Sequence, residues 1–175
     1  METIDHLIRK SRKGSRQAQF LLYQHYVRPI YSTCLRIVGN AAEAEEATQD
    51  AFLKAFQQMD LCKEDGYFEP WLRRIAIHTA IDYVRRQKEE PEELQKWCTV
   101  DEEEDAPDEE TIHWQVEQIR GALAGLATGY RTVLTLYLFE GYDMGEIAEI
   151  MHLNPSSVRS QYIRGKQKLR EKMGV

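Results

Sequence analysis

Apolar side chains recur every three or four residues along most of this chain, the spacing of a helix face rather than the alternation of a strand. Phe20, Leu21, Tyr23, Tyr26, Val27, Ile30, Tyr31, Leu35 and Val38 follow it, and Pro29 marks a kink or a helix start inside the run. Gly39-Asn40 stops this element and supplies a cap for the next. A second helix is predicted from about Ala41 to Met59, with Ala44, Ala47, Ala51, Phe52, Ala55, Phe56 and Met59 on one face. Asp60 to Pro70 contains Gly66 and Pro70 and is predicted as a loop. A third helix is predicted from about Trp71 to Gln87, with Leu72, Ile75, Ala76, Thr79, Ala80 and Tyr83 inward.

The same spacing returns near residues 112–126 and again over about 130–140, where Gly141 breaks it. Thr132–Phe139 is β-prone in composition but lies between helices, so no strand is predicted. Asp143–Met151 forms one short helix with Ile147, Ala148 and Met151 inward and Glu146 and Glu149 outward. His152-Leu153-Asn154 is a turn. Asn154 is a good N-cap, and Pro155 occupies the first helical position, where its missing N–H costs nothing. The final helix buries Val158, Tyr162 and Leu169, and Ala148 is small enough for a close crossing. This pattern is a helix-turn-helix, whose second helix enters the major groove. The fold class is all-α, with two small helical domains over 1–88 and 112–175 joined by a strip over 89–111.

Charge sharpens that division. The net charge over all 175 residues is −6. Residues 1–88 carry 14 Lys/Arg against 11 Asp/Glu, and residues 113–175 carry 8 against 6. Residues 89–112 carry 1 against 12. Two mildly basic blocks thus flank an acidic strip whose self-repulsion and sparse apolar content, Leu94 and Trp97 apart, favour a linker that is at least partly disordered.

Composition excludes several classes. No apolar run reaches the ~20 residues of a membrane span. The acidic, polar start is unlike a secretory signal. Cys34, Cys62 and Cys98 form no CxxC pair, which fits free thiols in a reducing cytoplasm. His6, His25, His78, His113 and His152 show no metal-ligand spacing, and no phosphate-binding glycine loop or nucleophile motif appears. No enzymatic activity, cofactor or metal is expected.

The exposed positions of the final helix suit nucleic acid. Ser156, Ser157, Arg159, Ser160 and Gln161 lie in its first turns, where Gln pairs with adenine edges and Arg with guanine edges or phosphate. Arg164, Lys166 and Lys168 follow, better placed for phosphates. A basic helix packed on an acidic neighbour, the strip included, is the competing reading. In the first block, Tyr67, Phe68 and Trp71 stand beside arginines, the composition of a stacking platform for unpaired bases. An aromatic at a helix start, as Trp71 is on this pattern, is more often a core residue.

Three segments, in this order, resemble the extracytoplasmic-function sigma factors. Trp71-Leu72-Arg73-Arg74-Ile75-Ala76, with Asp82 and Arg85-Arg86, resembles their promoter-melting segment. Ala44-Glu45-Glu46-Ala47-Thr48-Gln49-Asp50-Ala51-Phe52-Leu53-Lys54 resembles their polymerase-binding helix. Glu146-Ile147-Ala148-Glu149, with Ser157-Val158-Arg159-Ser160 and Arg164, resembles their −35-reading helix. The resemblance implies a transcription initiation factor that directs core RNA polymerase to promoters and performs no chemistry. Glu46, Gln49 and Asp50 would then meet the clamp helices of the polymerase, whose two large subunits are contacted at clamp and flap. Tyr67, Phe68, Trp71, Arg73, Arg74, His78, Arg85 and Arg86 would meet the melted −10 strand. Ser156, Ser157, Arg159, Ser160, Gln161, Arg164, Lys166 and Lys168 would meet −35 duplex. An anti-sigma factor would be the restraining partner. The linker would run near the polymerase active centre, where Asp101–Asp105 could mimic nucleic acid. His78 stands where the family usually has Asn, and His152 where Gly is common.

Two other classes make distinct predictions. A conventional helix-turn-helix regulator would be a stable dimer that binds duplex tightly without polymerase. A protein-binding adaptor would leave DNA unaffected.

Overall fold

The computed structural model describes residues 3–63, 65–87 and 110–174, and every regular element among them is helical. The acidic strip with Leu94, Trp97 and Asp101–Asp105 lies outside the described residues, except that a helix already begins at Glu110. The chain divides into two compact units, residues 1–95 and 96–175.

In the first unit, α1 (Ile4–Arg12) precedes three longer helices, α2 (Arg16–Val38), α3 (Ala41–Gln57) and α4 (Phe68–Gln87), with single 3-10 turns at Met59–Leu61 and Asp65–Tyr67. The three long helices pack on one another, and α1 lies on α2. Buried alanines run down α3 at 44, 47, 51 and 55, which lets its axis approach both neighbours closely. Leu22, Ile30, Ile37, Phe68, Leu72 and Ile77 fill the space that remains.

Most helix ends follow local chemistry. Ser15 and Asn40 cap α2 and α3, accepting from the amides of Ala18 and Glu43 at 3.3 and 3.2 Å. Gly39 ends α2 at φ 75°, a conformation that a Cβ would penalise.

The structure corrects the sequence reading in four places. Pro29 is not a helix start, because α2 runs through it. The buried face of α2 is Ala18, Leu22, Tyr26, Ile30, Thr33, Cys34, Ile37 and Val38, so Tyr26, Ile30 and Val38 lie inward as expected while Phe20 is exposed. α4 begins at Phe68 rather than Trp71. Pro70 is tolerated there because first-turn amides have no intrahelical partner to lose. α1 has no counterpart in the sequence reading, since only Leu7, Ile8 and Ser11 mark its buried face.

In the second unit, α5 (Glu110–Ala124), α6 (Thr128–Leu138) and α7 (Met144–Met151) each pack on α8 (Pro155–Met173). Leu123, Leu126 and Leu134 form a core, flanked by Ile119, Tyr130, Tyr162 and Leu169. α8 crosses α6 at Gly165. A Cβ there would come within 3.1 Å of Tyr130 Cβ and 3.3 Å of Leu134 Cδ1. On α7 the buried set is Ile147, Ala148 and Ile150, with Met151 only half-buried.

Candidate nucleic-acid interface

The turn before α8 is fixed by its own side chains. Asp143 accepts from the Glu146 amide, and Glu146 accepts from the Asp143 amide, each at 2.9 Å, a reciprocal box that starts α7. His152 ends α7 in the left-handed region at φ 51°, the only non-glycine residue with positive φ among those described. Its amide closes on Ala148 and Glu149, and the Leu153 amide returns to the Ala148 carbonyl at 3.0 Å. Asn154 Oδ1 then accepts from the Ser157 amide at 2.8 Å and from the Ser156 hydroxyl at 2.6 Å. These bonds set the angle at which α8 leaves the turn.

α8 sorts its side chains into three groups. Ser156, Arg159, Ser160 and Arg164 are exposed. Ile163, 59% exposed, sits among them at helical spacing. Lys166 and Lys168 lean back over the Tyr162 and Tyr130 rings at 5.9 and 6.0 Å. Ser157 is half-buried behind the cap, and Gln161 is turned inward. Gln161 Oε1 lies 3.1 Å from where a Gly129 Cβ would stand and is buried without a hydrogen-bond partner. Arg131 also departs from a surface reading. It is buried, donates to the Leu126 carbonyl at 3.2 Å, and burial pulls its pKa below the usual arginine value.

In the first unit, Lys54 of α3, Gln58 just past its end, and Trp71, Arg74, Ile75, His78 and Thr79 of α4 line a groove of about 270 Å³. Lys54 Nζ donates to Thr79 Oγ1 at 3.2 Å, which holds the cation at the rim. An aromatic face beside cations suits a stacked base and its phosphate. Trp71 is half-buried against Phe68, at 6.0 Å between ring centres, and also lines the groove. Phe68 itself is core, 1% exposed and packed on Tyr26 at 5.5 Å. Full burial of such a ring is worth about 1.5–3 kcal/mol, which decides its position. Tyr67, one residue earlier, is 64% exposed.

The four arginines of α4 separate by partner. Arg74 reaches the groove. Arg73 pairs with Glu69 at 3.0 Å and donates to Thr33 at 3.4 Å. Arg85 lies 3.7 Å from Asp82, and Arg86 lies over the Tyr83 ring at 5.3 Å.

Glu46 and Gln49 are exposed on α3, and Asp50 is half-buried. Asp50 accepts a 2.7 Å hydrogen bond from the Tyr83 hydroxyl. Burial first, then that bond, push the Tyr83 pKa up to about 12.

Lys54 and Ile163 were not singled out from sequence, and Tyr83, expected inward, is half-buried with its hydroxyl on Asp50. Lys54 is the sole Lys or Arg on α3 and follows Asp50 by one turn, a signal that was available. Ile163 was legible only once the inward face of α8 was known. Among the described residues no group of three or more His, Cys, Asp and Glu could hold a metal ion, and no helix is long and apolar enough to cross a membrane.

Comparison with known proteins assigns both units. The Sigma-70 region 2 family model matches residues 22–90, and the Sigma-70 region 4 model matches residues 116–169. The chain is 27% identical to the ECF RNA polymerase sigma factor SigW of Bacillus subtilis, over 95% of this chain and 94% of that one. It is 28% identical to the RNA polymerase sigma-H factor of Pseudomonas aeruginosa, over 92% and 89%. The fold is similar to that of the sigma factor RpoE of Bartonella quintana, solved with its anti-sigma factor NepR, at a TM-score of 0.61 and 16% identity over 89% of this chain and 96% of that one. With region 2 and region 4 in order along one helical chain, and relatives matched from end to end, this protein belongs to the ECF family of RNA polymerase sigma factors.

Proposed function

We propose that this transcription initiation factor docks on core RNA polymerase through α3 and captures melted −10 bases with the groove and loop beside α4. In this reading α8 reads −35 duplex. The observation that carries it is the composition of α8, where six Lys or Arg stand against one Glu behind a fully capped helix-turn-helix. Arg159, Ser160 and Arg164 present donors toward base edges, Ser156, whose hydroxyl hydrogen is held by Asn154, presents an acceptor, and Ile163 presents an apolar surface that suits a thymine methyl. Lys166 and Lys168, leaning on tyrosines, are left for phosphates, as are Arg170 and Lys172.

On the melting side, Trp71, Arg74 and His78 with Lys54 supply the stacking face and cations, and Tyr67 supplies an exposed ring at the loop. Unstacking costs a few kcal/mol per base, and stacking on aromatic groups returns about 1–3 kcal/mol per base. Melting is thus driven by binding. Arg73, Arg85 and Arg86 would shift partners or act through their neighbours. Glu46, Gln49 and Asp50 would meet the polymerase clamp, and the flap would meet the second unit.

An anti-sigma factor is part of the proposal, because the similar fold from Bartonella quintana was solved with one. Promoter binding by reconstituted holoenzyme tests the division of labour. Arg164→Ala should weaken binding through the upstream duplex and leave core polymerase binding unchanged. Equal loss of both would refute it.

A further inference from the structure

No residue of α1 lines the groove beside α4, yet the helix reaches both 3-10 turns of the segment that leads into α4. Arg12 stands at the last turn of α1, whose buried residues are Leu7, Ile8 and Ser11. The guanidinium makes two contacts on opposite sides of that segment. Arg12 Nη2 donates to the Cys62 carbonyl, just after the first 3-10 turn. Arg12 Nη1 lies 2.7 Å from Asp65 Oδ1, at the start of the second. Arg9 adds a longer contact to Asp65 Oδ2 at 3.5 Å. Arg12 and Asp65 are both mostly shielded from solvent, whereas Arg9 is largely exposed, so the Arg12 pair is the stronger of the two.

Tyr67, two residues past Asp65, is fixed from behind by the buried Phe68 and from before by this ion pair. We infer that Arg12 is a positioning residue for promoter melting: it bridges Cys62 and Asp65 and so sets the conformation in which the loop presents Tyr67 to an unpaired base. The planar fork of arginine makes both contacts at once. A lysine carries the charge but has one nitrogen for two acceptors. The inference rests on the reading that this loop captures a −10 base.

The test uses holoenzyme assembled from core polymerase and the full chain as wild type, Arg12→Ala, Arg12→Lys, Asp65→Asn or Tyr67→Ala. Each transcribes a promoter pool randomised over its −10 positions, and transcript sequencing reads the preference among them. Core polymerase affinity and thermal midpoint are measured on the same chains. Arg12→Ala should flatten the −10 preference about tenfold, with Arg12→Lys intermediate and core affinity and midpoint near wild type. Asp65→Asn should match Arg12→Ala, and a chain carrying both Arg12→Ala and Asp65→Asn should lose little more than either, because one interaction is removed once. An unchanged profile in Arg12→Ala beside a flattened one in Tyr67→Ala would overturn the positioning role and leave the loop reading standing. Unchanged profiles in both would overturn the loop reading and the inference with it. Loss of midpoint and core affinity in step with preference, in Arg12→Ala and Asp65→Asn alike, would make the pair a prop of the fold and also overturn the inference.

Discussion

The Tyr83 hydroxyl donates to Asp50 Oδ2 at 2.7 Å, joining the outer face of α3 to α4. The carboxylate assigned to polymerase docking is therefore held in place by the helix assigned to promoter melting. Tyr83→Phe keeps the ring and deletes the bond. A hydrogen bond to a charged group is worth about 1.5–3 kcal/mol, less where both partners are half-exposed. Core polymerase affinity should fall about threefold to tenfold in a titration of labelled chain, with −35 binding by the assembled holoenzyme less affected. Unchanged affinity would show that Asp50 needs no such support.

The same bond sets an alkaline limit. Tyr83 titrates at about 12 in the folded chain, against 10.0 for an unperturbed tyrosine. Below the lower value both states hold the proton and the contribution is whole. Between the two values the unfolded chain releases its proton first, so stability falls as pH rises and the contribution is gone above the higher value. The difference in urea midpoint between wild type and Tyr83→Phe should narrow from about pH 10 to about pH 12. A constant gap would contradict the assignment.

His152 holds a left-handed conformation at φ 51° with its side chain exposed. That conformation costs a side-chain-bearing residue roughly 1–2 kcal/mol, part of which a glycine's larger unfolded entropy takes back. His152→Gly should therefore stabilise the second unit by about 0.5–1 kcal/mol in chemical denaturation, leaving promoter selectivity unchanged. A destabilised variant would mean that the imidazole makes a contact worth more than the strain.

Gly165 marks the crossing of α6 and α8. Gly165→Val would press branched carbons into the space already closed by Tyr130 and Leu134. Overpacking of this kind costs about 1–3 kcal/mol. The thermal midpoint of the second unit should fall and upstream duplex binding should weaken, while core polymerase still binds through the first unit.

Caps and breakers carried most of what the sequence revealed about the fold. Gly39-Asn40, Asp143 and Asn154-Pro155 act through neighbours within four residues, so the ends of α2, α3, α7 and α8 were legible. Burial was legible where a face is dense, as with the alanines of α3, and misread where aromatics line two faces, as with Phe20 in α2. α1 offered too few apolar positions to announce itself. At the site, residue types located α8 and α4 but not the direction of single side chains. Gln161 turns inward because Gly129 leaves it room, and Phe68 turns inward because Tyr26 is there to meet it. Contacts such as Arg12 with Asp65 and Asp50 with Tyr83 join residues more than thirty positions apart, and no local pattern foretells them.

The central claim is tested most directly by run-off transcription from a pool of fragments of the source genome, using bacterial core polymerase with and without this chain. The account predicts discrete new start sites that share two upstream motifs, with the more upstream preference relaxed by Arg164→Ala. An active core polymerase that yields no new start sites with the chain present, alongside tight duplex binding by the chain alone, would contradict it.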